Sequence, residues 1–103
     1  MLVKTHLLPV LTLVILGAGP AHASEELVKK NGCATCHTLE RKSIGPAWKE
    51  VAAKYKGDAK AAEDLAERVK AGGKGVWGQT PMPPQNKVSD ADLKLMLAWV
   101  LAQ

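Results

Sequence analysis

The stretch "NGCATCHT", residues 31–38, sets two cysteines three positions apart, with a histidine directly after the second. A disulfide, half of a zinc site, a redox dithiol and a cofactor attachment all use such a pair. Each demands different company in the rest of the chain. The surrounding sequence therefore decides among them, and with them the fold.

The first requirement concerns what precedes the motif. Lys4 supplies a positive start, "LLPVLTLVILGAG" at 7–19 an apolar run, and "AHA" at 21–23 a small-residue cleavage pattern. That order reads as a secretory signal peptide over residues 1–23, with cleavage after Ala23. Pro9 and two glycines break a run already short for a bilayer span, so an uncleaved anchor is the weaker reading. Residues 24–103 then form one small domain with a thin core, and domains of that size usually need a staple. Cys33 and Cys36 are the only cysteines. A disulfide between neighbours so close would close a tiny loop and constrain the unfolded chain little. A bulky bound cofactor would serve better.

The formal net charge is +4, and it falls by one when Lys4 leaves with the leader. Lysines alternate with acids along helical stretches and form no dense block, which argues against nucleic-acid binding.

Ser24 with Glu25 and Glu26 predicts a helix start, and "NG" at 31–32 its end. "SIGP" at 43–46 predicts a turn. Trp48, Val51, Ala52 and Tyr55 recur at helical spacing after Ala47. Asp58 is placed to cap a third helix, with Ala61, Ala62, Leu65, Ala66 and Val69 on one face and "GGKG" at 72–75 ending it. Pro81, Pro83 and Pro84 make "VWGQTPMPPQNK" an extended loop. Ser89 opens a last helix, with Asp92 at capping-box spacing. Leu93, Met96, Leu97, Val100 and Leu101 line its apolar side, and Leu95 and Trp99 widen it. No strand pattern competes. The domain is expected to be all-α, with about four short helices.

This frame sorts the four chemistries. Zinc lacks ligands, because His6 and His22 leave with the leader and only Cys33, Cys36 and His37 remain. A thioredoxin-like dithiol expects a βαβ unit that the chain does not offer. A plain disulfide leaves the histidine unexplained. C-x-x-C-H as a covalent haem attachment accounts for all three residues, with both thiols on one macrocycle edge and His37 as axial ligand. Haem would also supply the staple, and attachment outside the cytoplasm agrees with the leader.

The sixth position decides the chemistry of the iron. Met96 belongs to the apolar stripe of the last helix and reads as core. Met82 lies in "TPMPP", where no stripe explains an apolar residue and prolines stiffen the backbone. A thioether is a weak neutral ligand, so stiff presentation favours it. Met82 is the expected sixth ligand.

The stretches "NGCATCHT", "GPAWKEVAAKY", "GVWGQTPMPP" and "VSDADLKLMLAWVLAQ" run in order through nearly the whole domain. In them the chain resembles the small bacterial class I cytochromes c of the c-551 and c-552 kind. The resemblance implies thioethers at Cys33 and Cys36, axial His37 and Met82, and a class I fold around one haem c. It also implies a hydrogen bond from His37 to the Pro46 carbonyl, a Trp77 indole reaching a haem propionate, and Arg68 near the same group. Some members place an asparagine directly after "PMPP"; here Gln85 and then Asn86 follow, either one a candidate donor to the Met82 sulfur. Trp48, Tyr55 and Trp99 read as core.

The expected function is one-electron transfer by a periplasmic monomer with no stable membrane insertion. No nucleophile or acid–base pair indicates an enzyme. The resemblance implies a quinol-oxidising complex as donor and a nitrite reductase, terminal oxidase or peroxidase as acceptor. Lys29, Lys30, Lys42 and Lys49 are candidates for a docking rim. The rival classes are a haem sensor with an open sixth position and a thiol–disulfide oxidoreductase.

Overall fold

A computed structural model describes residues 1–5, 7–14 and 19–103. The expected leader falls partly outside the described residues, at His6 and at 15–18. Among the described residues four helices follow one another: α1 (Pro20–Lys30), α2 (Trp48–Lys54), α3 (Ala61–Ala71) and α4 (Asp90–Leu101), with a 3₁₀ turn at Cys33–Thr35. Among the described residues there is no strand, only an isolated antiparallel bridge between Gly73 and Met82. The all-α expectation holds. No described helix is long and apolar enough to cross a membrane.

α1 begins four residues earlier than Ser24. Pro20, at the start of the helix, fixes a helical φ where its missing N–H costs nothing, and Ala21 and Ala23 propagate the helix forward. Ser24 therefore sits inside the helix, 5% exposed, where the sequence reading has it as a cap. The C-terminus ends as predicted: Asn31 caps it, and its side-chain Nδ2 donates to Leu27 O at 2.8 Å.

α2 opens on Ala47, which has no side chain to cap with. Glu50 reaches back instead, its Oε2 accepting from the Ala47 N–H at 2.9 Å. Asp58 acts one turn ahead of α3: its Oδ1 accepts from Lys60 N at 2.9 Å and its carbonyl from Ala61 N at 3.2 Å. It shapes the entry turn, and Lys60 takes the cap position. At α4 the serine half of the expected capping box is present, Ser89 Oγ accepting from Asp92 N at 3.1 Å.

Val28 of α1, Val51 of α2, Leu65 of α3 and Leu93, Met96, Leu97 and Val100 of α4 form one buried cluster. Leu95 points away, 47% exposed, so the apolar side of α4 is narrower than the sequence reading has it. Ala62 of α3 is likewise exposed. α4 packs against each of the other three helices, and among the described residues those three do not pack on one another. The single apolar stripe of α4 is thus the common floor of the domain. Trp48 and Trp99 meet edge to face above it, their ring centroids 6.2 Å apart.

Candidate functional site

Asn31 ends α1, and Gly32 turns the chain in the left-handed region (φ 75°). The 3₁₀ turn that follows is closed by Cys36 N donating to Cys33 O at 3.2 Å and His37 N to the same oxygen at 3.0 Å. One tight turn therefore carries both thiols and the imidazole. Both cysteines are free and half-buried. Burial pushes the Cys33 thiol up, and the neighbouring Cys36 adds to this against an opposing backbone hydrogen bond. A nucleophilic dithiol needs its attacking thiol lowered. Burial moves Cys33 the other way.

His37 is 8% exposed. Its Nδ1 lies 2.8 Å from Pro46 O. A carbonyl only accepts, so the neutral ring carries its proton on Nδ1 and keeps the Nε2 lone pair for a metal. The Trp48 indole stacks on the imidazole, centroids 4.4 Å apart and planes 22° from parallel. Gly45 presses against the same ring, where a Cβ would lie 2.5 Å from Cε1. Backbone bonds hold this wall in place: Gly45 N donates to Cys36 O at 2.8 Å and Trp48 N to Thr38 O at 2.8 Å.

Met82 is half-buried and comes from the far side of the sequence. It exchanges two backbone hydrogen bonds with Gly73, Gly73 N to Met82 O at 3.0 Å and Met82 N to Gly73 O at 2.8 Å. Gln85 N donates to Val69 O at 3.0 Å. The proline-rich loop is thereby tied to the end of α3. The Gln85 amide donates to Pro83 O at 3.1 Å, and Asn86 is exposed. The amide that does meet a methionine sulfur is Asn31, whose Nδ2 lies 3.7 Å from Met96 Sδ. Sequence reading missed it, because the partners are 65 residues apart and each already had a local reading, Asn31 as a helix end and Met96 as core.

Trp77 lies in the loop closed by the Gly73–Met82 bridge and is 37% exposed. The cation over its ring is Lys54 of α2, Nζ 5.5 Å from the centroid; the same Nζ lies 6.0 Å from the Tyr55 ring. Arg68 is exposed on α3. Of the four lysines named for a docking rim, all exposed, Lys29 pairs with Glu25 at 3.3 Å and Lys49 pairs with Glu40. Leu39 and Ile44, on the loop after His37, are 40% and 59% exposed.

Two free thiols on one turn, and an imidazole with one nitrogen pinned and the other available, fit covalent haem. Among the described residues no group of three or more His, Cys, Asp or Glu is placed to hold a metal ion.

The family model described as Cytochrome c matches residues 21–103. The chain is 52% identical to the cytochrome c-552 of Nitrosomonas europaea over 87 residues, 84% of each protein. It is 49% identical to the cytochrome c-551 of Pseudomonas aeruginosa over 92 residues, 89% of this chain and 86% of that one. The crystal structure of wild-type Nitrosomonas europaea cytochrome c552 superposes with a TM-score of 0.72 at 51% identity, covering 76% of this chain and 96% of that one. The class 1 cytochrome MtoD of Sideroxydans lithotrophicus ES-1 superposes with a TM-score of 0.65 at 30% identity, covering 78% of this chain and 91% of that one.

Proposed function

Since the chain belongs to the cytochrome c family, we propose that it shuttles single electrons between periplasmic redox partners with its iron held by His37 and Met82. It is a class I cytochrome c, an electron carrier with one covalently attached haem c and not an enzyme. The haem supplies the one-electron ferric–ferrous cycle. The chain's own residues do the rest.

In this reading Cys33 and Cys36 hold the group by thioethers. The observation that carries it is the buried His37, with Nδ1 bonded to Pro46 O at 2.8 Å. That bond fixes the tautomer, orients the ring and raises the basicity of Nε2. Met82 is the sixth ligand, a neutral sulfur that raises the potential. Its presentation on a proline-stiffened loop tied to α3 keeps ligand motion small when the charge changes. Trp77 and Arg68 face a propionate in the same reading, and Lys54, over the Trp77 ring, adds a cation there.

Residues 1–23 act as the leader and are removed after export. Leu7, Leu8, Val10 and Leu11 are each at least 86% exposed, apolar surface that a folded domain sheds with its leader. The mature monomer then docks weakly and transiently, as small redox interfaces do. Exposed Leu39 and Ile44 offer apolar contact close to the motif, with Arg41 and Lys42 beside them. A quinol-oxidising complex is the proposed donor, and a nitrite reductase, terminal oxidase or peroxidase the acceptor.

Absorption spectra of the haem-loaded protein test the ligation. The ferric form is expected to show the weak long-wavelength band of sulfur–iron coordination, and Met82→Ala to lose it. A ferric protein without that band has an open or differently ligated iron, and ligand binding replaces electron transfer as the reading.

A further inference from the structure

Gly72 closes α3 in the left-handed region, φ +67°, and its N–H donates to Arg68 O at 2.8 Å. A glycine here is first of all a helix terminator. Its surroundings ask for more. A Cβ built on Gly72 would stand 2.6 Å from Met82 O, 2.7 Å from Pro84 N and 2.9 Å from Pro83 C. All three are backbone atoms, two of them in prolines, and none can swing aside as the end of a flexible side chain can. On one side of this contact, Gly73 and Met82 exchange their two backbone hydrogen bonds. On the other, Gln85 N donates to Val69 O. Residues 82–85 thus lie across the end of α3, clamped before and after the place where a side chain would be.

We propose that Gly72 is a positioning residue for the sixth ligand: the space of its missing side chain seats the Met82 backbone, and the clamp holds it there whether or not the sulfur is bound. The inference rests on the reading of Met82 as that ligand. A thioether binds weakly, and a loop free to wander would spend binding energy on being ordered each time. Seating the loop on α3 moves that ordering into folding. The strength of sulfur ligation is then set from behind, by a residue that touches neither sulfur nor iron.

Gly57 provides the control. It shares the positive φ, +80°, but a Cβ there meets nothing within 4 Å. Alanine at either position is strained by the positive φ, at 72 the more so for its extended ψ of −174°; only at 72 does it also collide. The measurement is a titration of the ferric, haem-loaded full chain with imidazole, following the sulfur–iron band. Gly72→Ala is expected to lower the half-displacing imidazole concentration about tenfold or more, and Gly57→Ala to shift it less than about twofold. If both variants shift alike, or Gly72→Ala does not shift, Gly72 is a helix cap only and the proposal falls. Met82→Ala, recorded alongside, separates the two levels. A band retained in that variant removes the ligand reading itself, whereas a band lost there with Gly72→Ala unmoved sinks only the role of Gly72.

Should Gly72→Ala take up no haem, the unsubstituted protein decides. Amide exchange at Gly73, Met82 and Gln85 is compared with and without saturating imidazole. Protection kept to within about threefold supports the clamp. A loss of more than about tenfold means that the iron holds the loop, and overturns the proposal.

Discussion

A Cβ at position 45 would stand 2.5 Å from His37 Cε1 and 2.8 Å from Nδ1, and the imidazole has nowhere to retreat, since Nδ1 is bonded to Pro46 O and Trp48 lies stacked on the ring. Gly45→Ala must therefore break the bond, unstack the indole or shift the 43–46 turn. Overpacking of this kind costs about 1–3 kcal/mol, and denaturant unfolding of the haem-loaded protein is expected to read a loss in that range. Retained wild-type stability would show that the ring yields freely. At this scale the proposed ligands stand out as candidates in the sequence, Cys33, Cys36 and His37 by their spacing and Met82 by its place among prolines. The Pro46 carbonyl was reached through resemblance alone, since a backbone oxygen carries no signature of residue type. Lys54 over Trp77 carried no signal either; one lysine among many on helix faces looks like any other.

Among the elements, α4 is the one the sequence described most fully and α1 the one it misplaced. Ser89 caps α4 through its bond to Asp92 N, the interaction that the "SDAD" spacing predicts. Ser89→Ala leaves that N–H without its partner and is expected to cost about 1 kcal/mol. Thermal unfolding checks it, and an unchanged midpoint would mean that water replaces the hydroxyl without loss. The error at α1 has a plain cause. A serine followed by two acids looks like a start wherever it occurs, but Pro20 and the alanines around it let the helix begin sooner. Local capping preference is worth less than the continuity of a helix already under way. Removal of residues 1–23 would reverse the balance, leaving Ser24 at the end with Glu25 and Glu26 in the first turn, where the helix dipole favours acids. At α2 the cap came from Glu50 reaching back to Ala47, a half-box hidden because its first residue is an alanine.

For the molecule as a whole, the thin core anticipated from chain length is what the helices build. Among the described residues ten hydrophobic ones are buried, and there the helices meet one another through α4 alone. A chain in which Cys33 and Cys36 are both replaced by alanine has no thioethers to hold haem. It is expected to lose cooperative thermal unfolding by far-UV circular dichroism, as small domains do without their staple. A sharp transition at the midpoint of the haem-loaded protein would mean that the helices suffice alone. The all-α class was legible because helical periodicity and proline punctuation are local. That three helices share one partner was not, because it is a property of the packing and not of any single stripe. Its consequence lies in time. α4 comes after the other three helices in chain order, so during synthesis those three emerge before the surface that gathers them. Docking of the helices waits for α4, and until then the cysteine motif lies on a chain not yet gathered, open to the chemistry that attaches the haem.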